Sequence, residues 1–265
     1  MSELAGTTSA VGSDAPTEPR FRYVLRLADT SLILAQRLGE WIGKAPALEE
    51  ELGLANTALD LLGQARLFLN YATELEGRGR SEDELAFLRD QSAYLNFALV
   101  EQPNGDFAQS IVRQFLIDAY LLELYEALQH SADARLAEIA GKAVKEARYH
   151  ARYSAGWLIR LGDGTEESQM RSQRALDALW PFVRELFDAD ELDTQMAEAK
   201  IAPSLDAIER LWSVRIDEVL RQAMLKRPTA TPFKWYGKRG EHGEHLGYLL
   251  ADFQYMQRAY PGASW

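Results

Sequence analysis

The chain has no cysteine, which excludes disulfides, thiolate metal sites and cysteine nucleophiles. Histidine is scarce, with four in 265 residues, so any imidazole-bearing site must be small. Basic residues are outnumbered, 29 Lys and Arg against 40 Asp and Glu. The resulting charge of -11, with no basic stripe to offset it, argues against a binder of nucleic-acid backbones. No run approaches the ~18 apolar residues of a membrane helix, and the N-terminus lacks the apolar centre of a signal peptide. No nucleic acid and no membrane partner is expected, and a soluble cytoplasmic protein is. Prolines number only nine, and no segment alternates apolar and polar residues between hairpin turns, so strands are not expected either.

What is present is enough to build a large helical core: 47% apolar and 26% charged residues. Residues 1–20, rich in Ser, Thr, Gly, Ala and Pro, read as a disordered tail. Residues 21–265 read as one domain, with a core bundle over about 21–162 and added helices over about 165–260. The first helix runs from Phe21 to about Ile42, and Gly43-Lys-Ala-Pro46 ends it. The second spans about Ala47 to Glu76 and carries two apolar seams. One is Leu48, Leu52, Ala55, Leu59 and Leu62; the other is Ala58, Leu61, Ala65, Phe68 and Ala72. Apolar on most sides, it should be buried on most sides.

Ser81-x-x-Glu84 is a capping box for a short helix, and Asp106 caps a third long helix over about Phe107 to Gln129. The fourth covers about Asp133 to Leu161. A fifth, from Thr165 to Phe187, should kink or restart at Trp180-Pro181. An acidic stretch, Asp188 to Pro203, has room for one short helix. A sixth helix covers Ser204 to Lys226. The basic, aromatic loop from Arg227 to Gly240 leads to a last helix over Glu241 to Tyr260.

Four acids stand out. Asp29 and Asp60 lie about 15 residues either side of the first hairpin turn, and Asp118 and Glu146 about 13 and 14 either side of the second. Each pair is therefore level, and stacking the hairpins brings four carboxylates to mid-bundle. Carboxylate-bridged dimetal bundles use that layout, with a histidine three residues after two of the acids. Here those positions hold Gly63 and Tyr149. His150 is one residue late and is the one candidate for a residual ligand. His130 sits roughly 25 Å away, and His242 and His245 lie outside the bundle segments. With one imidazole at most, affinity for iron or manganese should be low. Without metal, buried acids need partners, and Arg26, Arg66, Lys142 and Arg148 are near in sequence.

Other motifs carry less. His242-Gly-Glu-His245 has the wrong spacing for a zinc-protease helix and reads as a polar helix start or a subunit contact. Lys234, Trp235, Tyr236, Lys238 and Arg239 suit a CoA phosphate, a protein interface or plain packing on the bundle. Gly162-Asp-Gly164 reads as a helix stop.

Several segments in order resemble one family: Leu38-Gly-Glu-Trp41, Leu59-Asp-Leu-Leu-Gly-Gln-Ala-Arg66, Val100-Glu-Gln-Pro-Asn-Gly105, Lys145-Glu-Ala-Arg-Tyr-His150, Gly156-Trp157, Leu186-Phe-Asp188 and His245-Leu-Gly247. They look like the structural subunits of bacterial ring-1,2-phenylacetyl-CoA epoxidases, from about Tyr23 to Trp265. The resemblance implies an all-α, ferritin-like four-helix bundle with additional C-terminal helices. It also implies a place in a multicomponent di-iron monooxygenase of phenylacetate degradation. There a homologous catalytic subunit holds the iron and binds phenylacetyl-CoA, and this type of subunit pairs with it and has no metal or cofactor of its own. A flavin and iron–sulfur reductase supplies electrons, and a small accessory subunit belongs to the same system. No catalytic residue is carried over, because Gly63 and Tyr149 stand where ligands are needed. Two other readings stay open: a dimetal oxygenase using His150 and the four acids, and a metal-free, self-associating scaffold.

Overall fold

The computed structural model describes residues 19–229 and 236–263. Among the described residues eleven α-helices follow one another: α1 (Pro19–Gly39), α2 (Leu48–Glu76), α3 (Glu82–Phe87), α4 (Ala98–Glu101), α5 (Phe107–Leu128), α6 (Ala134–Gly162), α7 (Glu166–Phe187), α8 (Glu191–Glu198), α9 (Leu205–Gln222), α10 (Glu244–Phe253) and α11 (Tyr255–Ala259). Among the described residues there is no strand, only one isolated antiparallel bridge between Tyr236 and Glu241.

The bundle is α1, α2, α5 and α6. Trp41 Nε1, just past the end of α1, donates to Ser110 Oγ near the start of α5 at 2.9 Å. Ser31 and Tyr125 meet farther along at 3.4 Å, so α1 and α5 run antiparallel. Asp60 faces His150, and Gln64 faces Glu146, so α2 and α6 are antiparallel too. It follows that α2 and α5 are parallel, and the connection over 77–106 must climb the length of the bundle. One such crossover joining two antiparallel hairpins is the ferritin-like arrangement.

The crossover lies along α1. Arg37 donates to the Glu101 carbonyl (2.7 Å) and Asn104 Nδ2 to the Arg37 carbonyl (2.7 Å). The buried Arg113 adds bonds to the Gln102 carbonyl and to Asn104 Oδ1. The Glu-Gln-Pro-Asn turn is thus held by two arginines from two helices.

Local chemistry fixes most boundaries. Ser81 and Glu84 form the expected capping box, and Asp106 accepts from the Gln109 N–H. Pro19 opens α1, where its fixed φ suits the first turn, so the helix begins two residues before Phe21 and takes in Arg20. The rest of the proposed tail lies outside the described residues. α7 runs through Pro181 without restarting. The last helix is two pieces, α10 and α11, with residues 241–243 outside both.

Burial corrects one expectation. The helix enclosed on all sides is α5, whose residues from Ile111 to Tyr125 are all buried, because α7 and α9 cover the side away from α1 and α2. Trp212 of α9 reaches in and donates to the Leu116 carbonyl at 3.0 Å. α2 instead buries one side, through Leu54, Leu61, Ala65, Phe68 and Ala72. Leu48, Leu52, Leu59 and Leu62 remain exposed.

Candidate functional site

Polar side chains gather in the seam between α2 and α6 and just inside it. Asp60 Oδ2 lies 3.0 Å from His150 Nε2. One turn on, Gln64 Nε2 donates to Glu146 Oε2 at 2.8 Å. Deeper, Asp118 of α5 accepts from Gln114 Nε2 (2.7 Å), and its other oxygen is 2.8 Å from Ser154 Oγ. Burial pushes the Asp118 carboxyl up to about 6, although His150, Ser154 and Gln114 each pull it down.

Three of the four acids therefore share one region, and the fourth does not. Asp29 turns to the crossover, where Arg89 clasps both its oxygens and the Leu95 N–H donates to it at 2.8 Å. Level heights on a hairpin fix axial position but not the direction a side chain faces, which is why the four-acid layer does not close. The anticipated arginine and lysine partners are also elsewhere. Arg26 pairs with Asp190 and Asp193, Arg66 with Glu82, Lys142 with Glu138 and Arg148 with Glu126.

Gly63 and Tyr149 are both exposed, and a Cβ at Gly63 would meet nothing within 4 Å. At about 100° per residue, a step of three from Asp60 or Glu146 swings outward and a step of four swings inward. The inward partners are thus Gln64 and His150. The positions singled out as lost ligands do not face the interior, and the occupied interior positions are an amide and one imidazole.

This arrangement does not fit a dimetal centre. Such a centre needs carboxylate lone pairs and a second nitrogen aimed at one point. Here amide, hydroxyl, imidazole and guanidinium groups already engage each acid. Among the described residues no group of three or more His, Asp and Glu is placed to hold an ion.

The C-terminal motifs resolve into a second polar centre. His242 has Nδ1 2.9 Å from Glu101 Oε2 and Nε2 2.8 Å from the Tyr94 carbonyl. Both neighbours can accept, so these contacts favour the protonated ring. Burial lowers its pKa, but the bonds to Glu101 and Tyr94 outweigh that and raise it. His245 shares no ligand with it; its carbonyl accepts from Arg37. Lys238 is buried, with Nζ 2.8 Å from Asp193 and 2.6 Å from the Asp188 carbonyl. Arg239 stacks on Tyr236 beside Asp190. Lys238 and Arg239 are thus paired with the acidic segment around α8, and Arg227 with Asp217 of α9, so each described cation of the loop already has a carboxylate partner. Lys234 and Trp235 lie outside the described residues. The opposite charge of the two stretches is the signal in the sequence that they meet.

Two comparisons with known proteins bear on the chain as a whole. Residues 5–265 match the model of the family described as phenylacetic acid catabolic protein. The chain is 51% identical over 243 residues to a component of the 1,2-phenylacetyl-CoA epoxidase of Escherichia coli (strain K12), covering 92% of this chain and 98% of that one. With a family match along nearly the whole chain and a relative half identical over almost its full length, the chain belongs to the phenylacetic acid catabolic protein family.

Proposed function

We propose that this chain is the non-catalytic, structural subunit of a multicomponent di-iron phenylacetyl-CoA 1,2-epoxidase in phenylacetate catabolism, pairing with and stabilising a homologous catalytic subunit in the cytoplasm. The single observation that carries the non-catalytic part is the seam itself: Gln64 spends its amide on Glu146, and Asp60 meets the one imidazole, His150. The similarity to an epoxidase component supports the pathway and the multi-subunit setting.

On this reading the redox chemistry belongs to iron in the partner, fed by a flavin and iron–sulfur reductase and accompanied by a small accessory subunit. The chain's own contribution is a rigid surface that orders the partner and keeps water from its site. The α10–α11 region, with Tyr248, Tyr255, Met256 and Tyr260 exposed beside Leu88, has the aromatic composition of an interface centre.

Elemental analysis of the chain purified alone tests the proposal. Well under one iron or manganese per chain is expected. Stoichiometric metal that disappears in Glu146→Ala would instead establish a working dimetal site. Co-expression with the oxygenase subunit should give a stable heteromer, in which His150→Ala leaves epoxidation within about twofold, roughly 0.4 kcal/mol.

A further inference from the structure

Between residues 141 and 160 the exposed side chains of α6 are Lys142, Lys145, Arg148, Tyr149, Arg152 and Arg160. All but the tyrosine are cations, and the one acid in that stretch, Glu146, is turned inward to Gln64. Along the chain these cations lie three, three, four and eight residues apart and form no run. Helical spacing gathers them on one face about 27 Å long, so the folded protein has the basic stripe that its sequence does not display. Lys142 and Arg148 have acids beside them, Glu138 and Glu126. Among the described residues Lys145, Arg152 and Arg160 have no carboxylate partner.

The stripe borders a groove. Between α6 and α9 lies a hollow of about 420 Å³, floored by the buried Leu122, Ala151 and Val219 and rimmed by Arg148, Arg152 and Arg215. Arg215 is held by Glu123 at 2.6 Å, and the Arg152 guanidinium lies 5.7 Å from the ring of Tyr149. Charge at the rim and carbon on the floor suit a ligand that has both, carboxylates on either side of an apolar side chain. Tyrosine and arginine are also the side chains enriched where proteins meet.

Other polyanions fit this face less well. Nucleic acid and anionic lipid spread their charge widely, and the rest of this acidic chain repels them. A local acidic patch on a protein feels mainly the stripe, because exposed charges beyond about 8–10 Å are screened. Tyr149 has Tyr153 stacked on it at 6.2 Å and Arg152 over it, which leaves little ring for a base.

We propose that the outer face of α6 is a docking site for an acidic segment of another protein. Its carboxylates pair with Lys145, Arg152 and Arg160, and one apolar side chain enters the groove beside α9. The contact is steered by charge and sensitive to salt. It goes beyond the structural-subunit reading and stands without it, because it needs only this chain's own face.

The test uses the full chain and a labelled helical peptide with glutamates placed around one phenylalanine, followed by fluorescence anisotropy. Wild type should bind it, with affinity falling about tenfold or more from roughly 0.1 to 1 M salt. Lys145→Glu with Arg152→Glu should weaken binding by at least about tenfold with unchanged far-UV circular dichroism. Lys145→Gln with Arg152→Gln should fall between that variant and the wild type. Arg22→Glu with Arg66→Glu makes the same change in net charge at exposed positions outside α6, and should leave binding within about twofold. A wild type that does not bind the peptide overturns the proposal, as does an equal loss in both glutamate pairs, which would make net charge the whole effect. A peptide with serine in place of phenylalanine that binds equally well overturns it too. So does tighter binding of a single-stranded oligonucleotide or of anionic phospholipid vesicles, either of which would make this a nucleic-acid or membrane face.

Discussion

Gln64 and Glu146 meet end to end between α2 and α6, amide nitrogen to carboxylate oxygen at 2.8 Å. One turn away Asp60 and His150 make the same crossing with the roles of the helices exchanged. Each helix thus offers one acid and one nitrogen-bearing side chain, four residues apart. The result is a closed pair of bonds in the place where a metal-bearing bundle of this architecture keeps its oxygens open.

Replacing Gln64 by leucine removes the donor and leaves Glu146 facing an apolar neighbour. A loss of about 1–3 kcal/mol in unfolding free energy is expected, the range for stranding a partly buried polar group. Metal content measured on the same preparation should not change.

Breaking the Arg89–Asp29 clasp should cost more. Both side chains are buried, and Arg89 also bonds the Ala93 carbonyl at 2.8 Å. Arg89→Met strands a buried carboxylate and should cost about 3–5 kcal/mol by urea denaturation. The double variant Asp29→Leu, Arg89→Met should recover part of that loss, giving a non-additive cycle.

Asp118 makes stability depend on pH in a defined direction. Its folded pKa of about 6 stands above the ordinary value of 3.8, so the folded chain holds the extra proton between those values. The stabilisation is complete below the lower value and is lost as pH rises through about 6. Asp118→Asn should flatten the melting temperature over that window, removing a dependence on the order of 2–3 kcal/mol.

His242 acts in the same sense at higher pH. Its folded pKa is raised above 6.5, so the imidazolium bonds are fully present below that value and fade as pH passes the folded pKa. Glu185, which accepts from the Ala98 and Lys238 N–H groups, is pushed up to about 7, chiefly by burial, and adds to the trend. The melting temperature of the wild type should fall as pH rises through about 7, where Glu185 ionises, and onward as His242 gives up its proton. His242→Gln should start lower and fall less steeply, as followed by differential scanning calorimetry.

Much of the fold is legible in the residues alone, because its signals are local. The α2, α5 and α6 spans, the Ser81 and Asp106 caps and the short helix after Asp188 follow from periodicity and capping chemistry. Which side of a helix meets which neighbour is not local. Asp29 is level with the other acids but faces Arg89, sixty residues away and outside any motif. The Leu48–Leu62 row escapes the interior for a related reason. Periodicity says that a helix has two apolar sides, and only the number of surrounding helices says how many are covered. Lys238 has the look of a surface cation in the sequence because its partners, Asp188 and Asp193, come from a segment far from it along the chain.

Arg26 and Lys238 share Asp193 across 212 residues, and the Lys238 carbonyl accepts from Arg26 directly. Translation at 5–20 residues per second separates the emergence of those two side chains by roughly 10 to 40 s. During that interval the opening helix carries a cation whose enclosure is unfinished, and the acids of α8 wait for half of theirs. A chain stopped ahead of Lys238 would leave Arg26 without the carbonyl it bonds and Asp193 without its lysine, so α1 would stay unsealed along that side.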